Sequence, residues 1–265
     1  YSYDWEWSLT GSAPWTSLSV NALTYDPDVL AQSTYFRRVT IDASCGTVYS
    51  NSILITVNSL PSPTASSNSP VCVGSPLNLT GGPAGMTSYS WSGPNGFSSN
   101  QQSPQVSASA QATMAGVYTL TVVNSNGCSN TANTTVVVNS KPLVTIIPDP
   151  GNTCVGQNLV ISSLVAGGSG TYSTYSWSGT GAIYLSPVNS PTGTFNSPVA
   201  GTFGLTLSVT DNAGCTGTGS STIAVIARPT AYAGPDTTLC YGSTYHVAGM
   251  PWTLRSKVSA FSVLL

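Results

Sequence analysis

The sequence predicts an all-β protein built as tandem immunoglobulin-like antiparallel β-sandwiches, with an incomplete sandwich at its N-terminus. Three observations carry that expectation. Apolar side chains recur with a period of two: Leu77 and Leu79, then Tyr89 and Trp91, then Tyr118, Leu120 and Val122, with Ser, Thr or Asn between them. Turn-forming runs such as Gly81-Gly82-Pro83, Pro94-Asn95-Gly96 and Asn212-Ala213-Gly214 interrupt these strands at short intervals. The chain also repeats itself. "SYSWSGPNGF" at 88–97 matches "TYSWSGTGAI" at 174–183, and "AGVYTLTVVNSNGCSN" at 115–130 matches "AGTFGLTLSVTDNAGCTG" at 200–217.

These repeats set the organisation. Residues 61–139 and 140–227 form two complete units, each closing on an alternating strand, "NTTVVVN" at 133–139 and "SSTIAVIA" at 220–227. Trp91 and Trp177 occupy the same third-strand place and are expected in the core, together with Tyr118. Residues 1–60 align with a unit only from its third strand onward. Tyr3 and Trp5 take the places of Tyr89 and Trp91, "STYFRRVTIDASCG" at 33–46 is the sixth-strand block, and "NSILITVNS" at 51–59 is the closing strand. Trp5 is therefore a third core tryptophan. Residues 228–265 supply the complementary part: first and second strands in "AGPDTTLCYGSTYHVAG" at 233–249, then "MPWTLRSKVSAFSVLL" at 250–265, which matches neither complete unit.

The cysteines follow the repeat. Of six, Cys72 and Cys154 precede a second strand and Cys128 and Cys215 follow an Asn-x-Gly turn. The expected intramolecular disulfides are Cys72–Cys128 and Cys154–Cys215, each stapling one end of a sandwich. Cys45 takes the place of Cys128, and Cys240 that of Cys72. The short, proline-bearing linkers favour a rod over self-closure. The expectation is that the tail of one subunit completes the head of the next, with Asp236, Leu239, Tyr245 and Val247 on the donated strands and an inter-subunit Cys45–Cys240 disulfide. Such a head-to-tail contact does not close and propagates as a homopolymer.

Composition narrows the function. Charged residues make up 5 % of the chain against about 25 % in an ordinary domain, and the net charge is −2. Without a Lys/Arg cluster beyond Arg37-Arg38, nucleic acid is an implausible partner. No apolar run approaches a membrane span, which takes about 20 residues. Widely spaced cysteines in a Ser/Thr-rich chain point to an oxidising, extracellular setting. No catalytic residues, metal ligands or cofactor are expected: the one histidine, His246, lies on an alternating strand, and the acidic residues are scattered.

The segments "YSWSGPNGF", "AGVYTLTVVNSNGC" and "TYFRRVTIDASCGTVYSN" resemble the Ig-like and PKD-like repeats of large secreted surface proteins of Bacteroidota-type bacteria, and "AGPDTTLCYG" resembles the opening of another such repeat. The resemblance implies an adhesin stalk or cell-surface filament. The expected function is a structural subunit of an extracellular filament that polymerises by donor-strand complementation. The alternatives are a stretch of a long repeat adhesin, or a module that binds surface glycans or neighbouring cells through aromatics such as Trp15 and Trp252.

Overall fold

A computed structural model describes residues 1–231 and 236–244. The chain divides into two compact units, Tyr1–Val138 and Asn139–Leu265.

The first unit opens with five strands: β1 (Ser2–Ser8), β2 (Thr16–Ser17), β3 (Thr34–Asp42), β4 (Gly46–Tyr49) and β5 (Ile53–Ile55). They form one antiparallel sheet in the order β2-β1-β3-β4, with β5 also on β3. The same unit continues with β6 (Thr64–Ser67), β7 (Val71–Cys72), β8 (Leu77–Gly82), β9 (Ser88–Ser92), β10 (Ser98–Ser99), β11 (Gln105–Ser107), β12 (Gly116–Val123), β13 (Ser129–Val136) and β14 (Val138–Asn139). These make a four-stranded sheet, β10-β9-β12-β13, a three-stranded sheet, β11-β8-β6, and a β14-β7 pair.

The second unit holds β15 (Pro142–Ile147), β16 (Gly151–Cys154), β17 (Leu159–Gly167), β18 (Tyr172–Ser178), β19 (Leu185–Ser186), β20 (Thr192–Phe195), β21 (Gly201–Asp211) and β22 (Thr216–Ile226). Its two four-stranded sheets are β15-β17-β20-β19 and β16-β22-β21-β18. The architecture is all-β and of immunoglobulin sandwich type, as the period-two pattern requires. Against the antiparallel pattern, β16 runs parallel to β22.

The alternation explains the cores. In β12, Tyr118, Leu120 and Val122 point inward while the Thr residues between them do not. They pack on Leu77, Leu79, Trp91 and Val136. In the second unit Trp177 packs with Ile161, Phe195, Leu205, Leu207 and Ile223. Each buried indole has a fixed partner: Trp91 Nε1 donates to Gln102 O at 3.1 Å and Trp177 Nε1 to Ser190 O at 2.8 Å. Tyr118 Oη donates to Met114 O four residues upstream at 3.0 Å, the corner bond typical of immunoglobulin sandwiches. The backbone is equally tight at Gly81, where a Cβ would lie 2.6 Å from Gln102 O and 2.8 Å from Leu120 Cδ2.

Trp91 and Trp177 thus lie in the core. Trp91→Ala is expected to destabilise the first unit by about 3–5 kcal/mol, and Trp177→Ala the second by a similar amount, in equilibrium denaturant unfolding. A loss below about 1 kcal/mol for either would contradict this packing.

Candidate functional site: the open face of the N-terminal sheet

The sheet of residues 1–55 has the strand arrangement of β10-β9-β12-β13, with β1 in the place of β9 and β3 in that of β12. Register shows which side chains share its faces. Tyr3, Trp5 and Trp7 alternate along β1 and oppose Thr40, Arg38 and Phe36 on β3. Trp5 stands opposite Arg38 as Trp91 stands opposite Leu120 and Trp177 opposite Leu207. This is the face that the two complete sandwiches bury.

In the N-terminal sheet it is only partly covered. Trp91 and Trp177 are 1 % and 5 % exposed, whereas Tyr3, Trp5 and Trp7 are all half-buried. Of the apolar side chains in residues 1–60, Phe36 and Val39 alone are buried. Leu54 is 48 % and Ile53 51 % exposed, while Ile223, on the closing strand of the second unit, is fully buried. The core role expected of Trp5 is met in orientation but not in burial.

What cover exists comes from residues 18–32, a segment without the alternating pattern of a strand. Trp5 Nε1 donates to Ala22 O at 3.1 Å, standing in for the Gln102 and Ser190 carbonyls. Tyr25 sits between Trp5 and Phe36, with ring centroids at 6.1 and 5.9 Å. Arg38, in the place of an inward leucine, lies over the Tyr3 ring and donates to Leu23 O. Beside these residues an open groove of about 270 Å³ is lined by Trp7, Leu9, Leu18, Tyr25, Val29 and Phe36. The signal for this cover in the sequence was faint: a single Tyr among turn residues.

The opposite face is closed by charge and aromatics. Arg37 pairs with Glu6 at 2.7 Å and lies between the Trp15 and Tyr49 rings, 4.2 Å from each centroid. Trp15, considered for glycan stacking, is thereby engaged by Arg37. Trp252 lies outside the described residues. Burial opposes ionisation of Asp4, but hydrogen bonds from the Ser17 hydroxyl and the Val20, Trp5 and Ser19 N–H groups outweigh it and hold its pKa below the ordinary value.

The C-terminal segment carries a matching piece. Asp236 and Leu239 are exposed and lie outside any strand, whereas Tyr245 and Val247 lie outside the described residues. At Cys240-Tyr241-Gly242-Ser243 the chain turns, with Ser243 N donating to Cys240 O at 3.0 Å and Gly242 at φ 82°. The same turn leads into the second strand of both complete sandwiches. Ser75 N donates to Cys72 O with Gly74 at φ 87°, and Gln157 N to Cys154 O with Gly156 at φ 68°. Positive φ explains the glycine at each. From this turn Tyr245 and Val247 fall five and seven residues on from the cysteine, as Leu77 and Leu79 do from Cys72.

The cysteine placement corrects the expected intramolecular disulfides. Cys128 and Cys154 carry free thiols, as do Cys45 and Cys240, while Cys72 and Cys215 are disulfide-bonded. Cys72 lies on β7 beside β14, where the closing strand ends, and Cys128 lies at its start, just before Ser129. Ten residues of extended chain separate 128 from 138, roughly 33 Å at 3.3 Å per residue, against about 6 Å between bridged Cα atoms. In the second unit Cys154 pairs with Ile226 at the end of β22, and Cys215 precedes its first residue. The two cysteines of one sandwich sit at opposite ends, so neither Cys72–Cys128 nor Cys154–Cys215 forms.

Each late cysteine is set by the same device. Cys128 N donates to Asn124 Oδ1, Cys215 N to Asp211 Oδ1, and Cys45 N to Asp42 Oδ1 at 2.7 Å. Among the described residues, no group of three or more His, Cys, Asp or Glu could hold a metal ion. No helix of these residues is long and apolar enough to cross a membrane.

A family model described as a domain of unknown function (DUF8696) matches residues 2–59, the N-terminal sheet and its closing strand. No curated protein matches the chain. Among solved structures, fibronectin(III)-like modules of CbhA from Clostridium thermocellum are 16 % identical, with 62 % of this chain and 95 % of that one covered at a TM-score of 0.33. Three N-terminal domains of the highly immunogenic outer capsid protein of bacteriophage RB49 are 18 % identical, with 76 % and 69 % covered and a TM-score of 0.35. The N-terminal eight Ig domains of Down Syndrome Cell Adhesion Molecule are 13 % identical, with 94 % of this chain but 35 % of that one covered and a TM-score of 0.34.

The turn before Cys45 yields a pH prediction. Hydrogen bonds from the Cys45 and Ser44 N–H groups depress the Asp42 pKa below its ordinary 3.8. The bonds therefore support the turn fully above that value and are lost as pH falls through the lower folded pKa. The amide proton shifts of Ser44 and Cys45 are expected to titrate at acid pH in the native chain and to stay flat in Asp42→Asn, which has the residue type found at Asn124. Equal titration in both would remove Asp42 from this role.

Proposed function

We propose that the chain is a structural subunit of an extracellular filament, in which the C-terminal segment of one copy completes the N-terminal sandwich of the next by strand donation. The observation that carries this reading is a pair of matching parts. The residue 1–55 sheet leaves half-open the face that both complete sandwiches bury. The 240–243 turn repeats the one that leads a core strand across that face.

The occupant of the open face is a second copy, through its residues 228–249. In that seating Cys240 takes the place of Cys72, Tyr245 and Val247 take those of Leu77 and Leu79, and both apolar residues meet Trp5 and Trp7. Each fully buried side chain of this size contributes about 1.5–3 kcal/mol, and main-chain bonding to the sheet adds register. Asp236 and Leu239 belong to the strand before the turn. The contact is heterologous, so it extends without closing. The low charge of the chain supports close association. The resemblance to secreted Bacteroidota-type repeats supports an extracellular, cell-surface location and a non-enzymatic role in adhesion. What the filament adheres to, surface glycans or neighbouring cells, follows from that resemblance alone.

The test uses the full chain and a synthetic peptide of residues 228–250. Purified chain is expected to form filaments visible by negative-stain electron microscopy, and excess peptide to cap the open face and shorten them in proportion to its concentration. Trp5→Ala with Trp7→Ala should abolish assembly while leaving the unfolding transition of the second unit unchanged. A monodisperse monomer that binds no peptide would sink the proposal.

A further inference from the structure

We infer that each joint between copies is locked by two crossed disulfides, Cys240 of one copy with Cys128 of the next and Cys154 of the first with Cys45 of the next. This rests on the strand-donation reading above and replaces the Cys45–Cys240 pair.

A finished sandwich fixes where each of its cysteines sits. The early cysteine lies beside the end of the closing strand: Cys72 is on β7, whose Val71 N donates to Val137 O at 3.1 Å, and Cys154 is in register with Ile226. The late cysteine lies at the start of that strand. In a composite N-terminal sandwich Cys240 is the early cysteine and Cys45 the late one. A Cys45–Cys240 bond would have to span the length of the sandwich, several times the reach of a disulfide.

The same equivalence places Cys240 beside another thiol. "TVNS" at 56–59 aligns with "VVNS" at 137–140, so Val57 and Asn58 are the counterparts of Val138 and Asn139. Cys72 is paired with the strand made of those two residues. Cys240 therefore comes to rest at Val57 and Asn58. Cys128 is already there: its Sγ is 4.0 Å from Asn58 O. Its turn is held against the linker by Asn124 Nδ2 to Ser59 O at 2.9 Å, and Asn130 Nδ2 bonds Pro61 O at 3.0 Å. Both thiols are thus brought to the same stretch of the linker, and both are free.

The second pair follows from the same rule. A late cysteine lies against the linker entering its own sandwich, as Cys128 lies against 58–61. For the composite sandwich that linker is the donor's residues 227–230, which leave β22 beside Cys154. There Cys154 pairs with Ile226, and Arg228 Nε donates to Val155 O at 2.8 Å. Cys45 and Cys154 are both exposed and free.

Each bond forms by thiol–disulfide exchange with a small-molecule or protein disulfide as oxidant. The Cys128 thiolate attacks the oxidant's disulfide and releases one of its sulfurs as a thiol. The Cys240 thiolate then attacks the Cys128 sulfur of the mixed disulfide and releases the second thiol. Two protein thiols thus lose two protons and two electrons, and one oxidant disulfide becomes two thiols. Cys154 and Cys45 react alike.

The test is disulfide mapping by mass spectrometry of alkylated, oxidised filaments, with non-reducing gels of full-chain variants. Peptides joining 128 to 240 and 45 to 154 are expected. Cys240→Ser alone and Cys45→Ser alone should each keep the non-reduced ladder, because one bond per joint survives. The Cys240→Ser/Cys45→Ser double variant should lose the ladder yet still assemble without covalent links. A 45–240 peptide, with the ladder lost in either single variant, would overturn this pairing and leave strand donation standing. A chain that neither assembles nor cross-links would overturn both.

Discussion

A β-sheet with one apolar face persists in water only when something covers that face. The two complete sandwiches solve this internally: Trp91 is closed over by the β11-β8-β6 sheet and Trp177 by the β15-β17-β20-β19 sheet. The residue 1–55 sheet has the same order and the same inward register, and its Tyr3, Trp5 and Trp7 remain half-covered. Residues 18–32 supply a partial lid through Ala22 and Tyr25. Everything proposed about assembly descends from the gap between that lid and a full second sheet.

The chain's economy of charge fits the same constraint. With charged residues at 5 % of the chain, ion pairs hold little of the fold together; among the described residues Arg37 pairs with Glu6, flanked by Trp15 and Tyr49. Hydrogen bonds set the turns instead. The three Cys-x-Gly-x turns at 72–75, 154–157 and 240–243 share a hydrogen bond and a left-handed glycine. The three Asx-capped turns ahead of Cys45, Cys128 and Cys215 share theirs. In the proposed docking, a segment whose turn is already set loses less entropy than one whose turn is not.

Much of this was legible in the residues. Period-two alternation located the strands, and repeat matching found Trp5, Trp91 and Trp177 as equivalents because core packing repeats the same side chain at the same register. The cysteine pairing was not legible, for a topological reason. Placing Cys72 and Cys128 at one end assumed antiparallel neighbours throughout, but the short strand carrying the early cysteine runs parallel to the closing strand in the second unit. That reversal moves the cysteine to the far end, a difference sequence spacing does not record. The cover from residues 18–32 was hidden similarly, since it is made by backbone carbonyls and one tyrosine rather than by an alternating strand.

Strand donation between copies is tested most directly by a cryo-electron microscopy reconstruction of assembled chains, traced through the N-terminal sandwich. It predicts a second sheet lying over Tyr3, Trp5 and Trp7, with residues 240–249 in it belonging to the neighbouring copy and Val247 against Trp5. Density showing that face open to solvent, or covered by the same chain's own C-terminal segment, would contradict it.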